Sequence, residues 1–195
     1  MILATGNQHK VAEMSQLLPG VDLEALPEGF EMPPEDGDSF EANALIKARA
    51  VHAATGKATI ADDSGIEAHD LGGAPGIYSA RYAGEGASDE TNLAKLLREV
   101  DAAGGERRAA YVCALALIEE SGTEYVFEAR CEGTLLREGR GEGGFGYDPA
   151  FIPDETGPRD ERTMAELTPA EKHAVSHRGK AARMLARHLG LGPED

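Results

Sequence analysis

The chain has 195 residues, with 35 acidic against 19 basic side chains and a formal charge of -16 at pH 7. That field disfavours a nucleic-acid backbone as partner, because phosphate contacts need basic patches. No window approaches ~18 uninterrupted apolar residues, so no membrane span is expected, and any bound phosphate has to be held locally by helix N-termini, a few lysines or a bridging metal.

The length suits one domain, with room for two lobes. Met1 to Ala4 reads as a short buried strand. It lacks the basic start and long apolar run of a signal peptide, so a cytoplasmic location is expected. The loop Thr5-Gly-Asn-Gln-His-Lys10 follows, then a helix with Val11, Met14 and Leu18 on one face. Residues 27–38 form a loop rich in proline and acids. Asp38-Ser-Phe-Glu41 resembles a capping box opening a helix that runs to about Thr55 and stops at Gly56. Ala58 to Ala61 is the next strand, and it delivers Asp62-Asp63-Ser64-Gly65.

Leu71 to Arg81 carries too much glycine and proline for regular structure and reads as a shaped loop. Ser88 caps a helix carrying Leu93, Leu96, Leu97 and Val100, and residues 109–118 and 124–136 read as a hairpin. Gly139 to Pro149 is a second glycine-rich loop, and Thr168-Pro-Ala-Glu171 is a helix start with cap, proline and reciprocal glutamate. The last helix runs from about Ser176 to Leu189, with Ala181, Met184, Leu185 and His188 inward and Gly190 as its stop. Early strand–helix alternation followed by a hairpin gives an α/β chain: a mixed sheet flanked by helices. Cys113 and Cys131 lie on either side of a three-residue hairpin loop, Ser121-Gly-Thr123, which would set them opposite each other. Without an export signal, reduced core thiols are expected.

Four stretches carry chemistry. Glu35, Asp62 and Asp63 offer the couple of carboxylates that Mg²⁺ takes alongside waters and phosphate oxygens; a capped turn with solvated acids is the ordinary alternative. Thr5 to Lys10 joins a strand to a helix N-terminus, where backbone N–H groups and a lysine favour an anion, yet it lacks the GxxxxGK[ST] spacing. Lys47 lies one turn from Asn43 on the following helix and is a further phosphate candidate or an exposed lysine. In Gly141-Glu-Gly-Gly-Phe-Gly-Tyr-Asp-Pro149 an aromatic ring on a close-packed loop suits base stacking, the alternative being a turn with Phe145 and Tyr147 in the core. Finally, His177 and Arg178 oppose the dipole at a helix start, which suggests that their donors serve something else, such as carbonyl oxygens on a base, the alternative being two solvated basic residues.

Taken together, "TGNxxK", "ADDSG", "GGAPGIYSARY", "GGFGYDPxF" and "EKxxxSHRGxA" closely resemble the noncanonical purine nucleoside triphosphate pyrophosphatases, the inosine triphosphatase family, from Leu3 to about Leu189. The resemblance implies an elongated mixed α/β fold with two lobes around a central nucleotide cleft, a homodimer, and Mg²⁺-dependent hydrolysis of ITP, dITP and XTP to the monophosphate and pyrophosphate. Carried onto this chain, it implies Asp63 as general base and metal ligand and Glu35 as the other metal carboxylate. Thr5, Gly6, Asn7, Gln8, His9, Lys10, Lys47 and Ser64 would be substrate contacts. Phe145 would stack on the purine. Gly146, Tyr147 and Asp148 would shape its pocket, with Lys172, His177 and Arg178 reading the base at O6. Ala42 departs from the family pattern, which often has glutamate there, and residues 154–162 look like an enlarged surface loop.

Overall fold

A computed structural model describes residues 1–191, apart from the side chains of Gln8 and His9. Five strands form one mixed sheet: β1 (Ile2–Leu3), β2 (Thr59–Ala68), β3 (Arg108–Ile118), β4 (Glu124–Leu135) and β5 (Phe151–Pro153), neighbours in that order. Five helices accompany it: α1 (Gln8–Leu17), α2 (Phe40–Thr55), α3 (Asp89–Ala103), α4 (Pro169–Val175) and α5 (His177–His188). Ile2 and Leu3 pair in parallel with Thr59 and Ile60. A parallel pair needs a long crossover, and residues 4–58, which hold α1 and α2, supply it. Gly133 to Leu135 pair antiparallel with Phe151 to Pro153. No helix among the described residues is long and apolar enough to cross a membrane.

The chain divides into two compact units. The first comprises Met1–Asp63, Cys113–Ala129 and the chain from Arg178 onward; the second comprises Ser64–Val112 and Arg130–His177. In the first unit, Met14 from α1, Leu18 just after it, Ile60 from β2, Leu115 and Leu117 from β3, and Leu185 from α5 are central to the core. The period of two in a strand sets Ile60 and Asp62 on one face of β2, and Ala61 and Asp63 on the other. In the second unit, Ile66, Leu96, Val100, Tyr111, Phe151 and Met164 are central to the core.

Several local expectations shift. Strand β2 does not stop at the acid pair but runs on through Asp62, Asp63, Ser64 and Gly65 to Ala68. The acids are mid-strand residues at 1% and 7% exposure, because buried cationic partners take the place of water. Helix α2 is capped one residue later than the capping-box pattern predicts: Ser39 Oγ accepts the Ala42 N–H at 3.1 Å. Gly56, at φ 66°, ends that helix. A 3-10 turn, His69–Leu71, leads into the Leu71–Arg81 loop, which ends in a second, Gly76–Arg81, with Ala74–Pro75 cis between them. Gly73 and Gly76 there have φ of 93° and 55°, a region that side chains with a Cβ rarely enter.

Helix α4 has the expected capping box: Thr168 Oγ1 accepts the Glu171 N–H, and the Glu171 carboxylate accepts the Thr168 N–H. On α5, Ala181 and Leu185 face inward as predicted, joined by Arg178 and Ala182, whereas Met184 is exposed. The stripe is rotated because Arg178, one turn earlier, points inward to carboxylates. His188 is exposed, though its ring packs against those of Tyr125 and Phe127. The hairpin closes at Glu119 N–H to Thr123 O, 2.9 Å, around three residues, 120–122, one step earlier than expected. Cys113 and Cys131 are both buried free thiols, one in each core.

Candidate active site

The first unit gathers two charged clusters, one on each face of β2. On the Asp63 face, α2 supplies Lys47 and Asn43. Lys47 Nζ stands 3.1 Å from Glu35 Oε1 and 3.7 Å from Asp63 Oδ1. Asn43 Nδ2 donates to Asp63 Oδ2 at 3.1 Å, and Asn43 Oδ1 accepts the Gly37 N–H at 2.9 Å. The two residues are one helical turn apart, so a single face of α2 addresses one carboxylate. Gly37 allows the close approach: a Cβ there would lie 2.7 Å from the Asn43 oxygen. Burial pushes the Asp63 carboxyl up from its ordinary range; Lys47 opposes the rise and Glu35 adds to it. Asn43 was weighed in the sequence only as a neighbour of Lys47, and its amide is what orients Asp63.

On the Asp62 face, α1 and α5 close over the strand. Lys10 Nζ lies 2.9 Å from Asp62 Oδ2, and Arg178 Nη2 and Nε reach the same oxygen at 3.3 and 3.4 Å. Arg178 Nη1 donates to Glu13 Oε2 at 2.6 Å. Burial alone would raise the Asp62 carboxyl, but Lys10, Arg178 and Lys47 outweigh it and hold it far below the usual carboxylate range. Glu13 escaped sequence reasoning, because an acid on an amphipathic helix of an acidic chain reads as solvated; its spacing of three from Lys10 was the available signal.

The Thr5 to Lys10 loop is tied locally. Thr5 Oγ1 accepts the Asn7 N–H at 3.2 Å, and Asn7 Oδ1 accepts the Lys10 N–H at 3.4 Å. Asn7 thus sits at the N-cap of α1. Gly6 and Asn7 are exposed, and the calls on Gln8 and His9 side chains lie outside the described residues.

The second unit builds another constellation on the Gly139–Pro149 loop. Asp148, 4% exposed, accepts from Tyr111 Oη at 3.0 Å, from the Phe145 N–H at 2.9 Å and from Lys172 Nζ at 2.7 Å. Gly144 has φ 72°, and a Cβ there would collide with the Asp148 carboxylate. Lys172 Nζ stands 4.9 Å from the centroid of the Phe145 ring, a cation over an aromatic face. Gly146 N–H donates to Asp89 Oδ2 at 2.8 Å. Tyr147, by contrast, is a core residue: its hydroxyl donates to the Ser79 carbonyl at 2.7 Å. His177 is buried and stacks on Tyr111 at 4.6 Å with rings nearly parallel. Tyr111 was missed in the sequence, although a hydroxyl inside the apolar run of β3 was a visible signal. Burial, with Asp148 beside it, pushes the Tyr111 hydroxyl well up, so it remains a donor. Ser64 follows Asp63 on β2 and is half-buried.

His177 and Arg178 are both buried, so neither is a solvated helix-start residue. The Arg178 guanidinium faces Glu13 and Asp62, a duty that the sequence reading did not assign to it.

A mixed α/β sheet carrying paired carboxylates, lysines and an aromatic glycine loop defines a class of chain equipped for phosphate and ring recognition. Residues 1–188 match the Ham1 family, and the chain belongs to it. A dITP/XTP pyrophosphatase of Geobacter sulfurreducens is 46% identical over 196 residues, covering 97% of this chain and 96% of that protein. The dITP/XTP pyrophosphatase of Photorhabdus laumondii is 48% identical, with 95% of each covered. Among solved structures, a HAM1 protein from Coxiella burnetii superposes with a TM-score of 0.87 at 39% identity over 97% of both chains.

Proposed function

We propose that this chain hydrolyses the triphosphates of deaminated purines, XTP, dITP and ITP, to the monophosphate and pyrophosphate, removing them from the nucleotide pool. The observation that carries the reading is identity of 46–48% over nearly the whole length of relatives named dITP/XTP pyrophosphatases. The Asp63–Lys47–Glu35 cluster supplies chemistry suited to that task.

A divalent cation, Mg²⁺, fits these residues. An ammonium already stands between Glu35 and Asp63, so both carboxylates address a position that favours positive charge. Among the described residues no group of three or more His, Cys, Asp or Glu side chains surrounds a metal-sized point. Two carboxylates with waters and phosphate oxygens is the mode Mg²⁺ adopts in phosphate sites. When bound, the cation would neutralise phosphate charge and acidify nearby water.

Asp63 takes the proton from the attacking water. Its raised affinity for protons makes it a stronger base than an ordinary aspartate, with the Asn43 amide fixing its orientation. The water oxygen bonds to the α-phosphorus as the bond to the bridging oxygen breaks, and pyrophosphate leaves with the electron pair. Thr5, Gly6, Asn7, Gln8, His9 and Lys10, with the N-terminus of α1, hold the triphosphate, and Lys47 and Ser64 add contacts. Phe145 stacks on the purine, while Gly146, Tyr147 and Asp148 shape the loop that presents it. Lys172 and His177 donate to O6; Arg178, whose guanidinium nitrogens face Glu13 and Asp62, does not. An adenine amino group would leave such donors unpaired, at about 1–3 kcal/mol per buried group. The reading includes a single two-lobed domain acting as a homodimer.

The test is the product formed with Mg²⁺ from XTP, dITP, ITP, ATP and GTP, measured for the wild type and Asp63→Asn. Pyrophosphate from the first three, little from ATP and GTP, and loss of turnover in Asp63→Asn is the expected result. Orthophosphate as product, or ATP as preferred substrate, would overturn the reading.

A further inference from the structure

Three cationic donors converge on one oxygen, Asp62 Oδ2. Lys10 Nζ is at 2.9 Å, and Arg178 Nη2 and Nε stand back at 3.3 and 3.4 Å. Charge-assisted N–H contacts to carboxylates settle at about 2.7–2.9 Å when nothing opposes them. Here something does: Arg178 Nη1 is drawn to Glu13 Oε2 at 2.6 Å. Glu13, Asp62 and Arg178 are all buried, and with Lys10 the four formal charges balance, two against two. Glu13 and Lys10 share one face of α1, three residues apart, so the helix fixes the spacing of the acid that holds Arg178 and the lysine that competes with it.

Resting on the reading of Lys10 as a triphosphate ligand, we propose that Glu13 is a positioning residue for phosphate binding. It draws Arg178 back to long contacts on Asp62, so that Lys10 keeps the shortest contact with that carboxylate and its ammonium stays pre-aimed. Neutralise Glu13 and the guanidinium closes on Asp62 Oδ2. Two cations then contend for one oxygen, and the more exposed, more flexible lysine leaves. A pre-organised phosphate contact is lost, though nothing touching phosphate has been changed.

Binding of inorganic tripolyphosphate in the presence of Mg²⁺, by titration calorimetry, tests this without the base or the chemical step. Glu13→Gln should weaken it roughly 10- to 100-fold, the worth of one charge-assisted contact. The double variant Glu13→Gln/Arg178→Gln should return to within about threefold of wild type, because the competitor for Asp62 is gone. That rescue is a non-additivity that a merely structural role predicts against. In turnover, the inhibition constant of pyrophosphate should rise in Glu13→Gln while that of the monophosphate product holds. Should Glu13→Gln fail to fold, Glu13→Asp, which withdraws the carboxylate by one methylene, should show a smaller loss that adding Arg178→Gln repairs. Unchanged affinity in the single variant, or a double variant weaker than the single, overturns the proposal. A wild type that binds no tripolyphosphate, yet releases pyrophosphate from XTP, would remove Lys10 as ligand and this inference with it. A wild type that binds tripolyphosphate without turnover would sink the hydrolase reading alone.

Discussion

Lys47→Met is the perturbation whose size the structure sets most directly. It removes the ammonium standing 3.1 Å from Glu35 and 3.7 Å from Asp63 while keeping most of the side-chain bulk. Breaking a buried ion pair costs about 3–5 kcal/mol. Glu35 is about one-third exposed, so its share is screened and adds little. Asp63 is 7% exposed and bears the loss. An alternative open to it is protonation, which limits the penalty: from an ordinary value of 3.8, protonating an aspartate at pH 7 costs about 4.4 kcal/mol, at 1.36 kcal/mol per unit. Burial has already raised this carboxyl, so the limit lies lower, and about 2–4 kcal/mol is expected. At about 2–4 °C per kcal/mol for a chain of this size, Tm falls by about 4–16 °C.

The pH dependence follows from the sign of the shift. A carboxyl whose folded pKa is raised binds more protons folded than unfolded, so it costs stability as pH rises above the unfolded value. Without Lys47 the rise is larger. The gap in Tm between wild type and Lys47→Met should shrink as pH falls and Asp63 takes up its proton in both, and should widen toward neutrality. Mg²⁺ at the site proposed for it would restore positive charge beside the two acids, so it should raise the Tm of Lys47→Met more than that of the wild type. Scanning calorimetry across pH, with and without Mg²⁺, measures all three effects. A Tm within 2 °C of wild type at pH 7, or a gap that does not grow with pH, would refute the reasoning.

Phe145→Ala should raise KM for every purine triphosphate, by about 5- to 100-fold for the loss of about 1–3 kcal/mol of stacking, while Tm barely moves, since that ring lies outside the core; steady-state kinetics decide. Cys113 is buried, and burial with Asp62 nearby pushes its thiol up to about 12, while Cys131 is equally enclosed. Both should be silent to a thiol reagent at pH 8 in the native protein and react together once denaturant unfolds it. Gly133→Ala would drive a Cβ into the Ile152 carbonyl and the Phe151 ring across the β4–β5 pairing, so its Tm should drop by several degrees or more, with little folded protein recovered.

Much of this architecture was legible because local signals were strong. Ser88, Thr168 and Gly56 mark helix ends by chemistry acting over three or four residues, and all three do so in the structure. The hairpin was legible from two apolar runs around a turn. What escaped depended on partners far away in sequence. Asp62 and Asp63 looked like a strand's end because carboxylates seldom sit inside one; only Lys10, Arg178 and Lys47, from three different helices, make that position tolerable. Met184 was predicted inward from periodicity alone, whereas Arg178 sets the phase of its helix. Glu13 and Tyr111 were passed over because each is ordinary in its own segment. The Asp148 loop was read as a candidate stacking platform, with Tyr147 either on it or in the core; Tyr147 is in the core, and sequence spacing alone does not separate the two.

Neighbouring residues on a strand look out on opposite sides of the sheet, and this chain uses that as insulation. Asp62 and Asp63 are joined by one peptide bond, yet one is held far below the ordinary carboxylate range while the other is raised from its ordinary value, because the hydrogen-bonding partners of each come from different helices, although Lys10 and Lys47 act on both. Had the acids been placed two apart, both would share one set of neighbours and titrate as a pair. The parity of the strand therefore acts like a reading frame. A single residue inserted ahead of Thr59 that shifted β2 by one step would set Asp62 in the Asn43–Lys47 cradle, bring Ala61 into the lysine–arginine clamp and carry Asp63 on to the place of Ser64, without altering a single side chain.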